Sequence, residues 1–135
     1  MSRFVLDTNI LSALMCREPK ALERAAACRP ANLIVVSPVA AEITYGIERL
    51  RRNTKRRALL EREYQRLREI LGWADWDERA AAAFGRIKAQ LEKSGQPLED
   101  WDVAIAAAAE ALEATVVTRN QKHLGRVRGL QLETW

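Results

Sequence analysis

Apolar and polar positions alternate along this chain in two distinct rhythms. Short apolar or β-branched runs fall at residues 3–6, 33–36, 115–118 and 130–132, and between them apolar residues return every three or four positions. The runs have the length of strands and the intervening stretches the length of helices, so the chain reads as an α/β domain. Strands that alternate with helices pair in parallel, which predicts a short, mainly parallel sheet of four or five strands with helices on both faces. Ser37-Pro38 reads as a helix N-cap followed by proline at the first helical position, and Val39, Ile43, Ile47 and Leu50 then recur at helical spacing over 38–52. Asn53-Thr54 breaks that pattern before a second helix carrying Leu59, Leu60, Leu67 and Leu71 runs to Gly72, so the pair forms a protruding helical arm. Ala80, Phe84, Ile87 and Leu91 mark another amphipathic helix, stopped by Ser94-Gly95-Gln96-Pro97. From 103 to 114 nearly every residue is Ala, Ile, Leu or Val, as a helix packed closely on a sheet requires.

At 135 residues, with no Gly/Ser-rich linker and no repeat, the chain is expected to form one domain over 1–135. Only a short apolar stretch precedes Asp7, too short for a signal segment or a membrane span, so a cytoplasmic protein with no membrane partner is expected. Cys16 and Cys28 have no ligand-like spacing and read as reduced thiols. The net charge of +4 is concentrated in two places. Arg49, Arg51, Arg52, Lys55, Arg56 and Arg57 crowd the arm, and Arg119, Lys122, Arg126 and Arg128 follow the third strand run. Such clusters suit a polyanionic substrate. A solvated helix face interleaved with Glu48, Glu61 and Glu63 accounts for the first cluster equally well.

Three acids stand where chemistry is expected. Asp7 directly follows Phe4-Val5-Leu6, at the carboxyl end of the first strand, where open α/β sheets place their ligands; an ordinary turn or helix N-cap is the competing account. Glu42 lies on the flank of the stripe made by Val39, Ile43, Gly46 and Leu50, at about 100° per residue. The same angles place Asp102 beside Ala106 and Ala109, whereas Asp100 points to the opposite side and is better explained as a helix cap or N-terminal charge. Carboxylates gathered in one crevice repel unless a cation neutralises them, and an all-oxygen set without clustered His or Cys suits Mg²⁺ or Mn²⁺. Such a metal would lower the pKa of a bound water and neutralise a phosphodiester, which implies phosphodiester hydrolysis.

Taken together, Phe4-Val5-Leu6-Asp7-Thr8-Asn9-Ile10-Leu11-Ser12, Ala41-Glu42-Ile43-Thr44-Tyr45-Gly46-Ile47, Asp102-Val103-Ala104-Ile105-Ala106-Ala107, and Thr118-Arg119-Asn120 with Gly129-Leu130 resemble the PIN-domain ribonucleases, specifically the VapC/FitB-like toxins of type II toxin-antitoxin systems. The resemblance spans the whole chain and implies a PIN-like three-layer α/β/α sandwich. It implies that Asp7, Glu42 and Asp102 are the metal-binding catalytic acids, that Thr8, Asn9 and Thr118 orient them, and that Asn120 stands where many members carry a fourth acid, leaving one or two ions open. It also implies an RNA substrate, a cognate antitoxin that blocks the site, a homodimer and a toxin-antitoxin hetero-oligomer. Cleavage would leave a 5′-phosphate and a 3′-hydroxyl.

Other residues carry less. Arg49 and Arg119 are candidate RNA-phosphate contacts. The lone His123 reads as a surface residue, at most a phosphate contact, and Trp101 as an aromatic packed over a helix start in preference to a base-stacking platform. Two further functions compete with a metal-dependent endoribonuclease. One is an aspartyl-nucleophile phosphatase of haloacid-dehalogenase type, which needs a second Asp where Asn9 stands. The other is a PIN-like nucleic-acid or partner-binding domain with a weakened site, in keeping with Asn120 and the basic arm.

Overall fold

β1 (Phe4–Leu6) lies at the centre of a five-stranded sheet and is flanked by β2 (Leu33–Val36) and β4 (Thr115–Val117); β3 (Gly72–Ala74) and β5 (Leu132–Glu133) form the edges. All four pairings are parallel, in the order β3-β2-β1-β4-β5. Leu33, Ile34, Val35 and Val36 are all buried, and since successive side chains point to opposite faces, helices must cover both sides. The result is the expected three-layer α/β/α arrangement, seen in a computed structural model that describes residues 2–135. Its helices are α1 (Thr8–Met15), α2 (Pro19–Ala26), α3 (Ser37–Glu48), α4 (Lys55–Ile70), α5 (Glu78–Lys93), α6 (Asp100–Leu112) and the short α7 (Gln121–Leu124). Among the described residues no helix is long and apolar enough to cross a membrane.

Several boundaries differ from the sequence expectation, each for a local reason. β3 begins at Gly72, where the second arm helix was expected to end, and no strand was expected there. It is a half-exposed edge strand of three residues with no alternation to betray it, and Gly72 permits it: a Cβ there would sit 2.4 Å from the Ala31 carbonyl oxygen. The last strand starts at Leu132, after a turn closed by Gly129 (φ 77°) and by the Leu130 N–H, which donates to the Val127 carbonyl. Thr118 lies beyond β4, although its N–H still donates to Glu133 O at 2.9 Å. Ser37 is not the N-cap of α3. Val36 takes that place, and the Ser37 hydroxyl accepts instead from the Trp76 N–H at 3.2 Å.

The arm is real but shorter, since α3 ends at Glu48. Arg57 closes the corner by donating to the Glu48 and Leu50 carbonyls and to the Glu48 and Glu61 carboxylates. Thr54 caps α4, accepting from Arg57 N. Glu63 then locks α4 to the turn after α1: buried, it accepts Arg17 Nε at 2.6 Å and Arg17 Nη2 at 3.2 Å, with Arg66 alongside. These cations hold its carboxyl down at about 2. Ile47 of the α3 stripe is buried in the core; Tyr45, 67% exposed, Leu59 and Ile70 are what the arm leaves in solvent.

Candidate active site

The chain leaves β1 at the switch point of the sheet, where the strands run outward through β2 and β3 on one side and then cross back to β4 and β5 on the other. Open parallel sheets form their ligand crevice there, at the carboxyl ends of the strands. Asp7 is the first residue past β1 and is 5% exposed. Its Oδ1 accepts the Thr8 N–H at 2.8 Å, so it does cap α1, but Oδ2 faces the sheet's end and accepts from Thr118 Oγ1 at 2.6 Å and Asn9 Nδ2 at 3.2 Å. The cap and the candidate ligand are therefore the same side chain.

Each supporting residue has a defined task. Thr118 is fully buried beyond β4; its hydroxyl donates to Asp7 and accepts the Asn120 N–H at 2.9 Å. The Arg119 N–H donates to Asn9 Oδ1 at 3.1 Å, which turns the Asn9 amide N–H toward Asp7 and fixes its orientation. Thr8 Oγ1 donates to Glu42 Oε1 at 2.6 Å and so joins the loop after β1 to α3. Asn120 occupies the N-cap position of α7 without a capping bond from its side chain.

Asp102 completes the crevice from the first turn of α6. It is half-buried, and its carboxyl is raised above the ordinary value first by burial, then by the charges of Asp7 and Glu42 and, more weakly, of Glu99, with His123 opposing. The structure thus brings Asp7, Glu42 and Asp102 to one place. Asp100 stands apart, exposed and paired with Lys88 Nζ at 2.9 Å.

Other expected contributors are arranged differently. Arg119 gives its guanidinium to both Glu18 oxygens, at 3.0 and 3.3 Å, and to the Trp135 carbonyl, so it braces the scaffold and is not free for phosphate. Arg49 sits at the end of α3 over the Tyr45 ring, seven residues and so about 10 Å along the helix from Glu42. Trp101 is 50% exposed beside Asp102 and is not packed over the helix start. His123 had been placed at the surface without a role; it is exposed, yet it stands close enough for its charge to act on Asp102. No sequence pattern joins α7 to the start of α6, which is why that proximity escaped the linear reading.

The donor set fits a hard divalent cation in its chemistry: all the candidate ligands are carboxylate oxygens, and Asp102 is loaded with the like-charge repulsion that a cation relieves. Among the described residues no three acidic, His or Cys side chains close on one point as a ready metal cage. Asp7 and Glu42 are held back by the Thr118 and Thr8 hydroxyls.

Fold and site together define a parallel α/β domain with an acidic crevice at its switch point. The chain belongs to the PIN-domain family, whose model matches residues 4–130. It is 30% identical over 135 residues to the tRNA(fMet)-specific endonuclease VapC of Shigella flexneri, covering 100% of this chain and 99% of that protein. It is 31% identical to ribonuclease VapC2 of Haemophilus influenzae over the same span. Among solved structures, the DNA-bound VapBC complex from Salmonella typhimurium matches with a TM-score of 0.83 at 27% identity, over 100% of this chain and 99% of that one. The FitAB complex bound to a DNA fragment matches in fold, with a TM-score of 0.86 at 22% identity, over 97% and 94% of the two chains.

Proposed function

We propose that this protein is an endoribonuclease of the VapC type, dependent on Mg²⁺ or Mn²⁺, that hydrolyses RNA phosphodiester bonds and is neutralised by a cognate antitoxin in the cytoplasm. The observation that carries this is the convergence of Asp7, Glu42 and Asp102, distant in sequence, at the switch point, with the Asp102 carboxyl pushed up by burial and then by the charges of the other two. Asp7, Glu42 and Asp102 would hold one or two ions, whose contribution when bound is to activate water and offset phosphate charge. Around them the protein's own groups set the geometry. Thr118 and Asn9 fix Asp7, and Thr8 fixes Glu42. Asn120, with an amide in place of an acid, would contribute a neutral donor at the rim. The relatives named as ribonucleases, one of them specific for initiator tRNA, support RNA as substrate. Structural neighbours solved as VapBC complexes support an antitoxin partner; a toxin homodimer within that hetero-oligomer is part of the proposal. Asn9 donates its amide to Asp7 where a phosphatase of the aspartyl-nucleophile type needs a second carboxylate.

Incubating the protein with a defined RNA and Mg²⁺ or Mn²⁺, with EDTA as control, tests the reading. Internal cleavage that stops with EDTA and with Asp7→Asn or Asp102→Asn is expected; asparagine at 7 keeps the helix cap, so loss of activity there is not loss of fold. RNA bound but never cut would favour a binding domain with a weakened site. Cleavage by Asp102→Asn at the wild-type rate would remove that ligand assignment.

A further inference from the structure

The basic cluster after β4 does not act as one unit. Arg119 is withdrawn into its pairing with Glu18, whereas Lys122, Arg126 and Arg128 line a groove of about 630 Å³ together with Gln90, Ser94 and Gln96 at the end of α5. No acidic side chain lines that groove. Arg24, Arg57, Arg66, Arg86, Lys88 and Arg119 each face a carboxylate, whereas these three cations do not. Lys122 and Arg128 are exposed, and Arg126 donates one N–H to the Pro97 carbonyl at 3.0 Å, leaving the rest of its guanidinium fork for another acceptor. The end of a helix normally repels anions through its free carbonyls. Here the α5 carbonyls are already used: Gln90 O accepts from Ser94 N and Oγ, Leu91 O from Gln96 N, and Glu92 O from Gly95 N. The groove therefore presents three cations and neutral amide and hydroxyl groups, and no competing negative end.

Its position gives it a partner. The bond from Arg126 to Pro97 ties the groove to the segment that leads into α6 and Asp102, and Thr118, bonded to Asp7 and to the Asn120 N–H, leads directly into α7 and Lys122. The elements that carry the groove cations thus adjoin those that carry the crevice acids. A polyanion entering the acidic crevice needs positive charge beside it, and a volume in the range of about 300–1,000 Å³ accommodates a ligand of nucleotide size.

We propose that this groove binds the phosphodiester backbone of the single-stranded RNA segment flanking the cleaved bond, through Lys122, Arg126 and Arg128. The inference rests on RNA being the substrate, and the experiment separates the two. Binding of a fluorescein-labelled, unstructured 12-nucleotide RNA to the full chain is followed by anisotropy in EDTA, across a salt series. Lys122→Gln/Arg128→Gln alters only exposed side chains, and Arg126→Gln is then added. Each phosphate contact contributes about 0.7 to the log–log salt slope on a single strand, so the triple variant should lower the slope by about 2 and weaken binding on the order of tenfold or more near 0.1 M salt. Lys20→Gln/Arg29→Gln, which matches the charge change of the double variant but lies outside the groove, should leave the slope in place. An unchanged slope in the triple variant, with an unchanged thermal midpoint, overturns the proposal. So does displacement of the RNA from wild type by poly-glutamate at equal charge concentration but not by unlabelled RNA, because the groove would then favour an acidic peptide. Wild type that binds RNA through the groove but never cleaves it with Mg²⁺ or Mn²⁺ would sink the nuclease reading and leave the groove standing.

Discussion

The bond from Thr118 to Asp7 is the pivot of the crevice, and Thr118→Val should break it with almost no change in shape. Thr118 is fully buried, so valine leaves no cavity and admits no water to replace the hydroxyl. Two interactions go at once: the donor to Asp7 Oδ2 at 2.6 Å and the acceptor for Asn120 N–H at 2.9 Å. A hydrogen bond to a charged group is worth about 1.5–3 kcal/mol, and leaving the Asn120 N–H unmatched adds about 1 kcal/mol. For a chain of this size roughly 4 °C of melting temperature goes with each kcal/mol, so a fall of about 10–15 °C is expected in EDTA.

A double-mutant cycle assigns the effect. Asp7→Asn keeps the cap on Thr8 N but turns Oδ2 into an amide that cannot accept from Thr118. Relief of the repulsion between Asp7 and Asp102 enters both arms of the cycle and cancels, leaving the Thr118–Asp7 coupling. We expect about 1.5–3 kcal/mol by chemical denaturation. Coupling below about 0.5 kcal/mol would refute the claim that this hydroxyl fixes the Asp7 carboxylate.

Three other perturbations test separate parts of the structure. Asp102→Asn should raise the melting temperature of the metal-free protein at pH 7 while abolishing cleavage; the Asp102 carboxyl is raised in the fold, so its stability penalty is complete above the folded pKa and fades as pH falls through it toward 3.8, and the gain from Asn should fade in step. Glu63 is shifted the other way, from 4.5 to about 2, so its contribution is present above 4.5 and lost as pH falls toward 2; Glu63→Gln should flatten that part of an acid unfolding profile, and an unaltered profile would show that Arg17 and Arg66 do not hold it. Gly72→Ala drives a methyl into the Ala31 carbonyl and should cost on the order of 1–3 kcal/mol, with hydrogen exchange at the β2–β3 pairing speeding up; full stability would mean the edge strand yields freely.

How much of this was readable from residues alone depended on whether a signal was local. Buried strands announce themselves, because Val5-Leu6, 33–36 and Val116-Val117 are apolar on both faces of a covered sheet. The three acids were locatable by their distance from strand ends and by helical angle, and the same angle separated Asp102 from Asp100, which faces Lys88 in solvent. What failed were features set by partners far along the chain. β3 exists because β2 offers it an edge, not because Gly72-Trp73-Ala74 favours extension. Ser37 looks like a cap until Trp76 N–H claims its hydroxyl, and Arg119 looks like a phosphate ligand until Glu18, about a hundred residues earlier, takes its guanidinium.

The charges of this domain are arranged in opposition, and that arrangement itself argues for a ligand. Some cations, Arg17, Arg24 and Arg57 among them, are matched by carboxylates across short distances, as folding alone would favour. Two regions instead gather one sign of charge: Asp7, Glu42 and Asp102 set like charges at the switch point, and Lys122, Arg126 and Arg128 line a groove free of acids. Neither excess stabilises the isolated fold, and the Asp102 carboxyl, raised by burial and by the charges of Asp7 and Glu42, bears part of that cost. A site that binds phosphate beside a cation needs both, side by side: acids to hold the metal and basic groups to hold the strand. Under the proposed function one ligand would relieve the unfavourable charge in both regions, a nucleic acid strand arriving with its metal ions.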